Sequence, residues 1–167
     1  MKGCETIEFK VLSREKARRL SFHSDIKNCI IISITDYDST PNVFHQNHHI
    51  KAVIHIQFDD VEKGEEHCMT KQDAKIITSF VNRHIDDVEM IIVHCEAGIS
   101  RSAGVCAALM KIITNDDSAI FDNPMYCPNM HCYRLMMEQY FGSYDEEEAN
   151  EKLMKNIAAW RVKEGLY

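Results

Sequence analysis

The sequence predicts an α/β domain that covers residues 1–167 and is built around a central, largely parallel sheet. Three short apolar runs, at residues 28–35, 50–58 and 89–95, are rich in β-branched side chains, as buried strands are. Segments with helical spacing of apolar residues separate these runs. Strands that alternate with helices are typical of layered domains with parallel strands, and 167 residues suit one domain.

Capping signals identify two helices before the third apolar run, and a strand is predicted just before the first of them. A weaker strand is predicted at residues 8–12, and Ser13 is expected to cap a helix that ends near Leu20. Thr70 is followed three positions later by Asp73, as in a capping box. Apolar residues at helical spacing follow this pair, namely Ala74, Ile77, Phe80, Val81 and Ile85.

The last third of the chain is predicted to be helical. Residues 103–113 are apolar on most sides, which favours a buried helix. A further helix is expected to open at Asn129 and to end at Gly142. The final helix begins at Asp145, and its acidic start and basic end complement the helix dipole. It is expected to pack through Leu153, Ile157 and Trp160.

Composition excludes several classes of function. The net charge of −7 argues against a nucleic-acid partner, because affinity for a phosphate backbone depends on Lys and Arg. No apolar run approaches the ~20 residues that span a bilayer, and the first residues lack the apolar stretch of a secretory signal. Seven cysteines cannot all pair within one chain. We therefore expect a cytoplasmic protein with reduced thiols and no membrane contact.

The chemistry is concentrated in residues 94–102, HCEAGISRS, between a predicted strand and a predicted helix. A loop in this position can aim successive backbone N–H groups at one point, in front of the positive end of the helix dipole. Gly98 permits a backbone conformation that a side chain hinders. Arg101 offers a planar fork that matches two phosphate oxygens. Cys95 would lie at the floor of this cradle, where the same donors favour a thiolate.

This segment resembles the signature of the protein tyrosine phosphatase superfamily, H-C-x-x-G-x-x-R-[S/T], and in particular its dual-specificity branch. The matching residues are His94, Cys95, Gly98, Arg101 and Ser102, with Ala97 and Ser100 as further residues common in that branch. The resemblance implies a phosphatase-type fold in which a strand, a phosphate-binding loop and a helix follow one another. That loop, called the phosphate loop below, comprises residues 96–101, namely Glu96, Ala97, Gly98, Ile99, Ser100 and Arg101.

The resemblance also implies roles for the residues around the loop. Cys95 would form a phosphocysteine intermediate, and Arg101 would bind the phosphate. Ser102 would donate a hydrogen bond to the sulfur and help it leave, and His94 would buttress the loop. No metal or other cofactor takes part in this chemistry. The histidines at positions 45, 48 and 49 lack the accompanying ligands of a metal site and are interpreted as part of a solvated loop.

Members of this family use an Asp on a mobile loop to protonate the leaving oxygen and then to activate water. The corresponding position falls at Phe58-Asp59-Asp60-Val61. The resemblance favours Asp60 as this general acid. Asp59 is the alternative, and a structural role for both residues in closing a turn is left open.

A downstream match concerns Asn129. Cys127-Pro128-Asn129 resembles the Ser-Pro-Asn with which dual-specificity enzymes open a late helix. Two interpretations of Asn129 stay open at this point. It either supports the phosphate loop or only caps the helix.

The expected function is hydrolysis of phosphomonoesters in phosphorylated proteins or peptides, with phosphotyrosine as the first substrate and phosphoserine and phosphothreonine left open. One alternative is a phosphatase of phosphoinositides or of RNA 5′ phosphates. Glu96 and the net charge of −7 speak against it, because both repel a ligand with many phosphates. The other alternative is a phosphopeptide-binding module with little turnover. The presence of Cys95, Arg101 and a candidate acid speaks against it.

Overall fold

The computed structural model describes residues 6–166. Its strands are β1 (Glu8–Ser13), β2 (Cys29–Thr35), β3 (Ile50–Gln57) and β4 (Met90–Cys95). They form a four-stranded sheet in the order β1-β4-β2-β3, and every neighbouring pair is parallel. The predicted α/β class with a largely parallel sheet is therefore confirmed.

The helices are α1 (Arg14–Leu20), α2 (Lys71–His84), α3 (Arg101–Thr114), α4 (Ser118–Phe121), α5 (Met130–Phe141) and α6 (Glu146–Lys163). The predicted N-caps are present. Ser13 accepts a hydrogen bond from the first turn of α1, and Thr70 and Asp73 form the reciprocal capping box of α2. Sequence patterns did not predict the short α4. Among residues 6–166, no helix combines the length and the apolar character needed to cross a membrane.

The two faces of the sheet bury cores of different size. On β2, Ile30, Ile32 and Ile34 point into the larger core, together with residues of α2, α3 and α5. The alternate residues Cys29 and Ile31 point into a smaller core that Leu20 and Phe44 help to cover. This alternation follows from the two-residue period of a strand. Because β2 and β4 are buried on both faces, the positions where they end are fixed by packing.

The expected packing of α6 is partly wrong. Trp160 is 43% exposed, and the buried residues of the helix are Ala149 and Asn156. Asn156 Nδ2 donates to the backbone carbonyls of residues 121, 123 and 126, at 3.1–3.3 Å. Hydrogen bonds to the end of α4 and to the segment after it thus anchor α6. Trp160 lies about one turn beyond that anchor.

Candidate active site

The candidate site lies where the parallel strands end. Strand β4 ends at Cys95, and the phosphate loop connects it to α3. Because all four strands run in the same direction, the segments that follow β1, β2 and β3 reach this edge of the sheet as well. Ligands of open α/β sheets bind at the carboxyl ends of the strands. The fold therefore gathers residues from four separate segments around Cys95.

Gly98 determines the course of the phosphate loop. Its φ of +70° lies in the left-handed region that side chains rarely adopt. A Cβ at this position would overlap the backbone of Leu12 and Ser13 at the end of β1. Glycine is therefore required here for two independent reasons, its backbone conformation and the close approach of β1.

The phosphate loop turns its carbonyl groups outward and leaves its N–H groups free. The carbonyls of Glu96, Ile99 and Ser100 accept hydrogen bonds of 3.0–3.2 Å from backbone N–H groups of neighbouring segments, those of Arg14, Cys127 and Asn129. By contrast, no backbone N–H of residues 96–101 donates a hydrogen bond within the described part of the chain. The first turn of α3 carries no acidic residue either. These donors are available to an anion in front of the helix N-terminus.

Arg101 supplies the positive charge of this cradle, and the residue is only 4% exposed. Nη1 donates to the carbonyl oxygen of Phe58 at 2.7 Å, and it forms an ion pair with Asp36, whose Oδ1 lies 2.7 Å away. Nε is buried and has no hydrogen-bond partner among the described residues. Leaving a charged donor buried and unpaired is costly, which indicates that this edge of the guanidinium is shaped for a bound anion.

Cys95 differs in its surroundings from the other buried thiols. Its Sγ lies 3.0 Å from Oγ of Ser102, so the hydroxyl can donate a hydrogen bond to a thiolate. Burial in the apolar core raises the pKa of Cys29 to about 11, and it raises the pKa of Cys106 and Cys132 as well. Cys95 is only 2% exposed, but it lies among free N–H groups at the N-terminus of α3.

His94 lies fully buried behind the phosphate loop. Burial lowers its pKa to about 4, so the ring is neutral near pH 7. Nδ1 lies 3.3 Å from the carbonyl oxygen of Cys95, which can only accept, so the network assigns the proton to Nδ1. Nε2 then accepts from the hydroxyl of Ser33 at 2.7 Å and from the amide of Asn42 at 3.3 Å. The ring thus ties the backbone of Cys95 to β2 and to the loop that follows it.

The two candidate acids point in different directions. Asp60 Oδ1 accepts from Ser100 Oγ at 2.8 Å and from Asn129 Nδ2 at 2.9 Å. Asp59 instead accepts from the backbone N–H of Tyr37 at 2.9 Å. The structure therefore brings Asp60 to the phosphate loop, and it directs Asp59 towards the segment after β2.

Asn129 makes contacts of both kinds that the sequence left open. As a helix cap, its Oδ1 accepts from the N–H of Cys132 at 3.0 Å. Its Nδ2 donates to Asp60 and also to the carbonyl of Val61 at 3.2 Å, and its backbone N–H donates to Ser100. One residue thus joins α5, the phosphate loop and the segment that carries Asp60.

Sequence reasoning missed Asp36, Ser33 and Asn42, and it misjudged Glu96. Arg14 Nη1 lies 3.0 Å from Glu96 Oε1, so the charge of Glu96 is paired. Glu96 therefore weighs less against polyanionic ligands than the sequence suggested. No motif marks these residues. The parallel order of the strands is the one signal available, since Arg14 and Asp36 come directly after β1 and β2.

An exposed aromatic pair lies beside the site. Tyr37, which is 53% exposed, stacks on His67 with ring centroids 3.7 Å apart and an interplanar angle of 4°. His67 adopts a φ of +57°, which is uncommon for a non-glycine residue. Asp36, the residue before Tyr37, contacts Arg101, and the backbone N–H of Tyr37 donates to the carboxylate of Asp59. The pair is thus fixed next to the segment that carries the candidate acid.

An open groove of about 500 Å³ begins at Asp60 and Ser100 and extends towards α6. Its lining is mixed. The groove is lined both by apolar side chains such as Met130 and Leu153 and by charged ones such as Arg134. The groove offers space for groups attached to a ligand of the phosphate loop.

Comparisons with known proteins were made on sequence and on structure. A family model for the catalytic domain of dual specificity phosphatases matches residues 12–140, a range that includes the phosphate loop, Asp60 and Asn129. A search of curated proteins finds no match. Human DUSP28 is similar in structure with a TM-score of 0.49 and 10% identity, over 95% of this chain and 97% of that chain.

Two further solved structures are similar at a lower TM-score. A mouse putative dual specificity phosphatase has a TM-score of 0.43 and 13% identity, over 90% of this chain and 82% of its own. The human tyrosine phosphatase-like serine/threonine/tyrosine-interacting protein has a TM-score of 0.45 and 15% identity, over 89% and 86% of the two chains.

Proposed function

Because the chain belongs to the dual specificity phosphatase family, we propose that it hydrolyses phosphotyrosine in proteins or peptides through a phosphocysteine intermediate. One observation carries the proposal. The N–H groups of residues 96–101 and the Nε of Arg101 have no partner among the described residues, and they belong to the loop and helix start that directly follow Cys95. A phosphate held by these donors presents its phosphorus to the sulfur, as in-line displacement requires.

In the first step, Cys95 Sγ attacks phosphorus, and the bond between phosphorus and the tyrosine oxygen breaks. Asp60 gives its proton to the leaving oxygen. The backbone N–H groups and Arg101 stabilise the charge on the three equatorial oxygens. These donors are fixed by the fold before substrate binds, so little reorganisation is needed at the moment of reaction.

In the second step, Asp60, now a carboxylate, takes a proton from water as the water oxygen attacks phosphorus. The bond between sulfur and phosphorus breaks, and inorganic phosphate is released. Ser102, 3.0 Å from the sulfur, donates a hydrogen bond to the departing thiolate. His94 holds the backbone of Cys95 in place through its Nδ1–H and remains neutral.

Asn129 and Ser100 position the acid. Both donate to the same oxygen of Asp60, Oδ1. The other oxygen, Oδ2, is then the one that carries the proton to the leaving group. This arrangement supports Asp60 as the acid, whereas Asp59 braces Tyr37.

Tyrosine phosphate is the preferred substrate because a phenolate leaves more readily than an alkoxide. The exposed pair of Tyr37 and His67 offers an aromatic surface for the substrate ring. The groove beside Asp60 would accept residues next to the phosphotyrosine. A thiolate nucleophile is inactivated by oxidation, so the reducing cytoplasm is the proposed location.

The test is turnover of para-nitrophenyl phosphate in the presence of a metal chelator. We expect wild-type activity to persist with the chelator and to disappear in Cys95→Ser. Cys68→Ser, which changes a thiol away from the phosphate loop, is the matched control and should retain activity. Loss of activity with chelator, or full activity in Cys95→Ser, would refute the mechanism.

The substrate class is tested separately with phosphotyrosine and phosphoserine peptides, soluble phosphoinositides and 5′-triphosphorylated RNA. We expect the highest kcat/KM for phosphotyrosine peptides. A higher kcat/KM for phosphoinositides or RNA would overturn the assignment of substrate and leave the phosphocysteine mechanism intact.

A further inference from the structure

Asp36 contacts Arg101, the arginine assigned above to phosphate binding, although no sequence motif marks Asp36. It directly follows β2, which lies next to β4 in the sheet. Its Oδ1 lies 2.7 Å from Nη1 of Arg101, and its side chain is 47% exposed. A half-exposed carboxylate thus supplies the counter-charge for an almost fully buried guanidinium.

The contact uses one particular nitrogen of Arg101. A guanidinium carries five N–H donors, two of them on Nη1. The carbonyl of Phe58 accepts a hydrogen bond from Nη1 at 2.7 Å, and the carboxylate of Asp36 pairs with the same nitrogen at 2.7 Å. Within residues 6–166, Nε has no partner and Nη2 donates no hydrogen bond. The edge of the fork formed by Nε and Nη2 is therefore free, and this edge matches two oxygens of a phosphate.

We propose that Asp36 is a positioning residue that fixes the guanidinium plane of Arg101, so that Nε and Nη2 face the phosphate. The proposal rests on the proposed function, because it assigns Arg101 to phosphate binding. Without Asp36, the carbonyl of Phe58 alone would hold Nη1, and the guanidinium could rotate about its terminal bonds.

The opposite role, a carboxylate that competes with the phosphate, fits the contacts less well. A competitor would occupy Nε or Nη2, whereas Asp36 contacts Nη1. The turn that carries Asp36 is also held in place. The backbone carbonyl of Asp36 accepts a hydrogen bond from the N–H of Ser39 at 3.0 Å. The backbone N–H of Tyr37 donates to the carboxylate of Asp59. These bonds keep Asp36 at Nη1.

The first test is the affinity for inorganic phosphate, measured by calorimetry, together with kcat and KM for para-nitrophenyl phosphate. In Asp36→Ala we expect phosphate affinity to fall about 10-fold and kcat/KM to fall about 10- to 100-fold, the range that misplacement of a binding group produces. Asp36→Asn retains an acceptor oxygen and should recover most of the phosphate affinity. Asp38→Ala, an exposed carboxylate in the same turn, is the control and should match wild type.

Thermal unfolding shows whether each variant is folded, and Asp36→Ser replaces Asp36→Ala if the alanine variant is not. Unchanged or tighter phosphate binding in the folded variant would overturn the proposal, since a competing carboxylate predicts tighter binding. Phosphate binding needs no turnover. Absence of Cys95-dependent turnover in wild type would therefore refute the proposed function while the titration still decides the role of Asp36.

The second test is a double-mutant cycle with Arg101→Lys, which retains the charge and removes the fork. If Asp36 acts through Arg101, Asp36→Ala should reduce kcat/KM by less than about 2-fold in the Arg101→Lys background. Equal losses in both backgrounds would show that Asp36 acts independently of Arg101 and would contradict the proposal.

Discussion

The phosphate loop and the acid loop, residues 58–67, reach the same site but are held there in different ways. Backbone contacts hold the phosphate loop. Gly98 lies against β1, and three of the loop's carbonyls accept hydrogen bonds from other segments. The acid loop is exposed over residues 62–67, and side chains tether it, mainly those of Asp59, Asp60 and Asn129.

This difference separates two kinds of sensitivity. A change in the backbone of the phosphate loop disturbs the packing of β1 and the cradle together, so it affects both stability and chemistry. We expect a change in a tether of the acid loop to affect the placement of Asp60, the proposed proton donor, and to leave the core intact. The predictions below test this separation.

The largest effect is expected for Gly98→Ala. An alanine has to adopt a positive φ and overlaps the backbone of β1, so we expect loss of measurable turnover and a destabilisation of more than about 2 kcal/mol. Activity assays and chemical denaturation measure the two effects. Gly142→Ala is the control, because Gly142 also has a positive φ (+73°) but nothing lies within 4 Å of its added Cβ. Equal behaviour of the two variants would contradict the account of Gly98.

Asp60→Asn should lower kcat by about 10²–10³-fold while leaving stability unchanged, since removal of a general acid costs this much. The loss should be greater for substrates with poor leaving groups, and the decline of the rate at high pH should flatten. Asp59→Asn is the matched neighbour and should retain kcat within about 10-fold. If only Asp59→Asn flattens the pH profile, Asp59 is the acid.

His94 should make stability depend on pH. Its pKa is lowered from the ordinary 6.5 to about 4 in the folded protein, so the unfolded chain binds a proton at higher pH than the folded one. Stability is therefore retained above pH 6.5 and lost as the pH falls from 6.5 towards 4, by about 2 kcal/mol at pH 5. Denaturation at pH 7 and pH 5 should show that His94→Asn lacks this part of the loss. An equal loss in the variant would show that other groups cause it.

Asn129→Ser should have the smallest effect, about a 10-fold decrease in kcat, because serine retains the cap of α5 and loses the amide donor to Asp60. If Asn129 only caps α5, kcat should depend on the leaving group as it does in wild type. If Asn129 positions Asp60, kcat of the variant should depend on the leaving group more steeply. Asp145→Ser exchanges the corresponding cap of α6 and serves as the control. Unchanged leaving-group dependence in Asn129→Ser would limit Asn129 to a capping role.

The same comparison explains what the sequence could predict. Residues 94–102 are contiguous and lie between an apolar run and an apolar helical segment, so the sequence indicated the strand, the cradle and the helix. Asp36, Ser33 and Asn42 reach the site only because the strands are parallel and β2 lies beside β4. Asp59 and Asp60 are adjacent and chemically identical, so only the direction of each side chain distinguishes them.

Helix packing shows a similar limit. Residue spacing placed Trp160 in the core, but hydrogen bonds from Asn156 anchor α6, and Trp160 lies exposed beyond that anchor. Apolar spacing predicts which residues share a helix face. It does not predict how far along the helix the partner elements extend.

The central claim is that Cys95 carries the phosphoryl group. Rapid quenching of Asp60→Asn during turnover of para-nitrophenyl phosphate, whose leaving group needs little protonation, followed by mass spectrometry of the peptide that contains Cys95, measures this directly. The account predicts that Cys95 gains one phosphoryl group and that Cys95→Ser gains none under the same conditions. A phosphoryl group on another residue, or turnover that persists in Cys95→Ser, would contradict it.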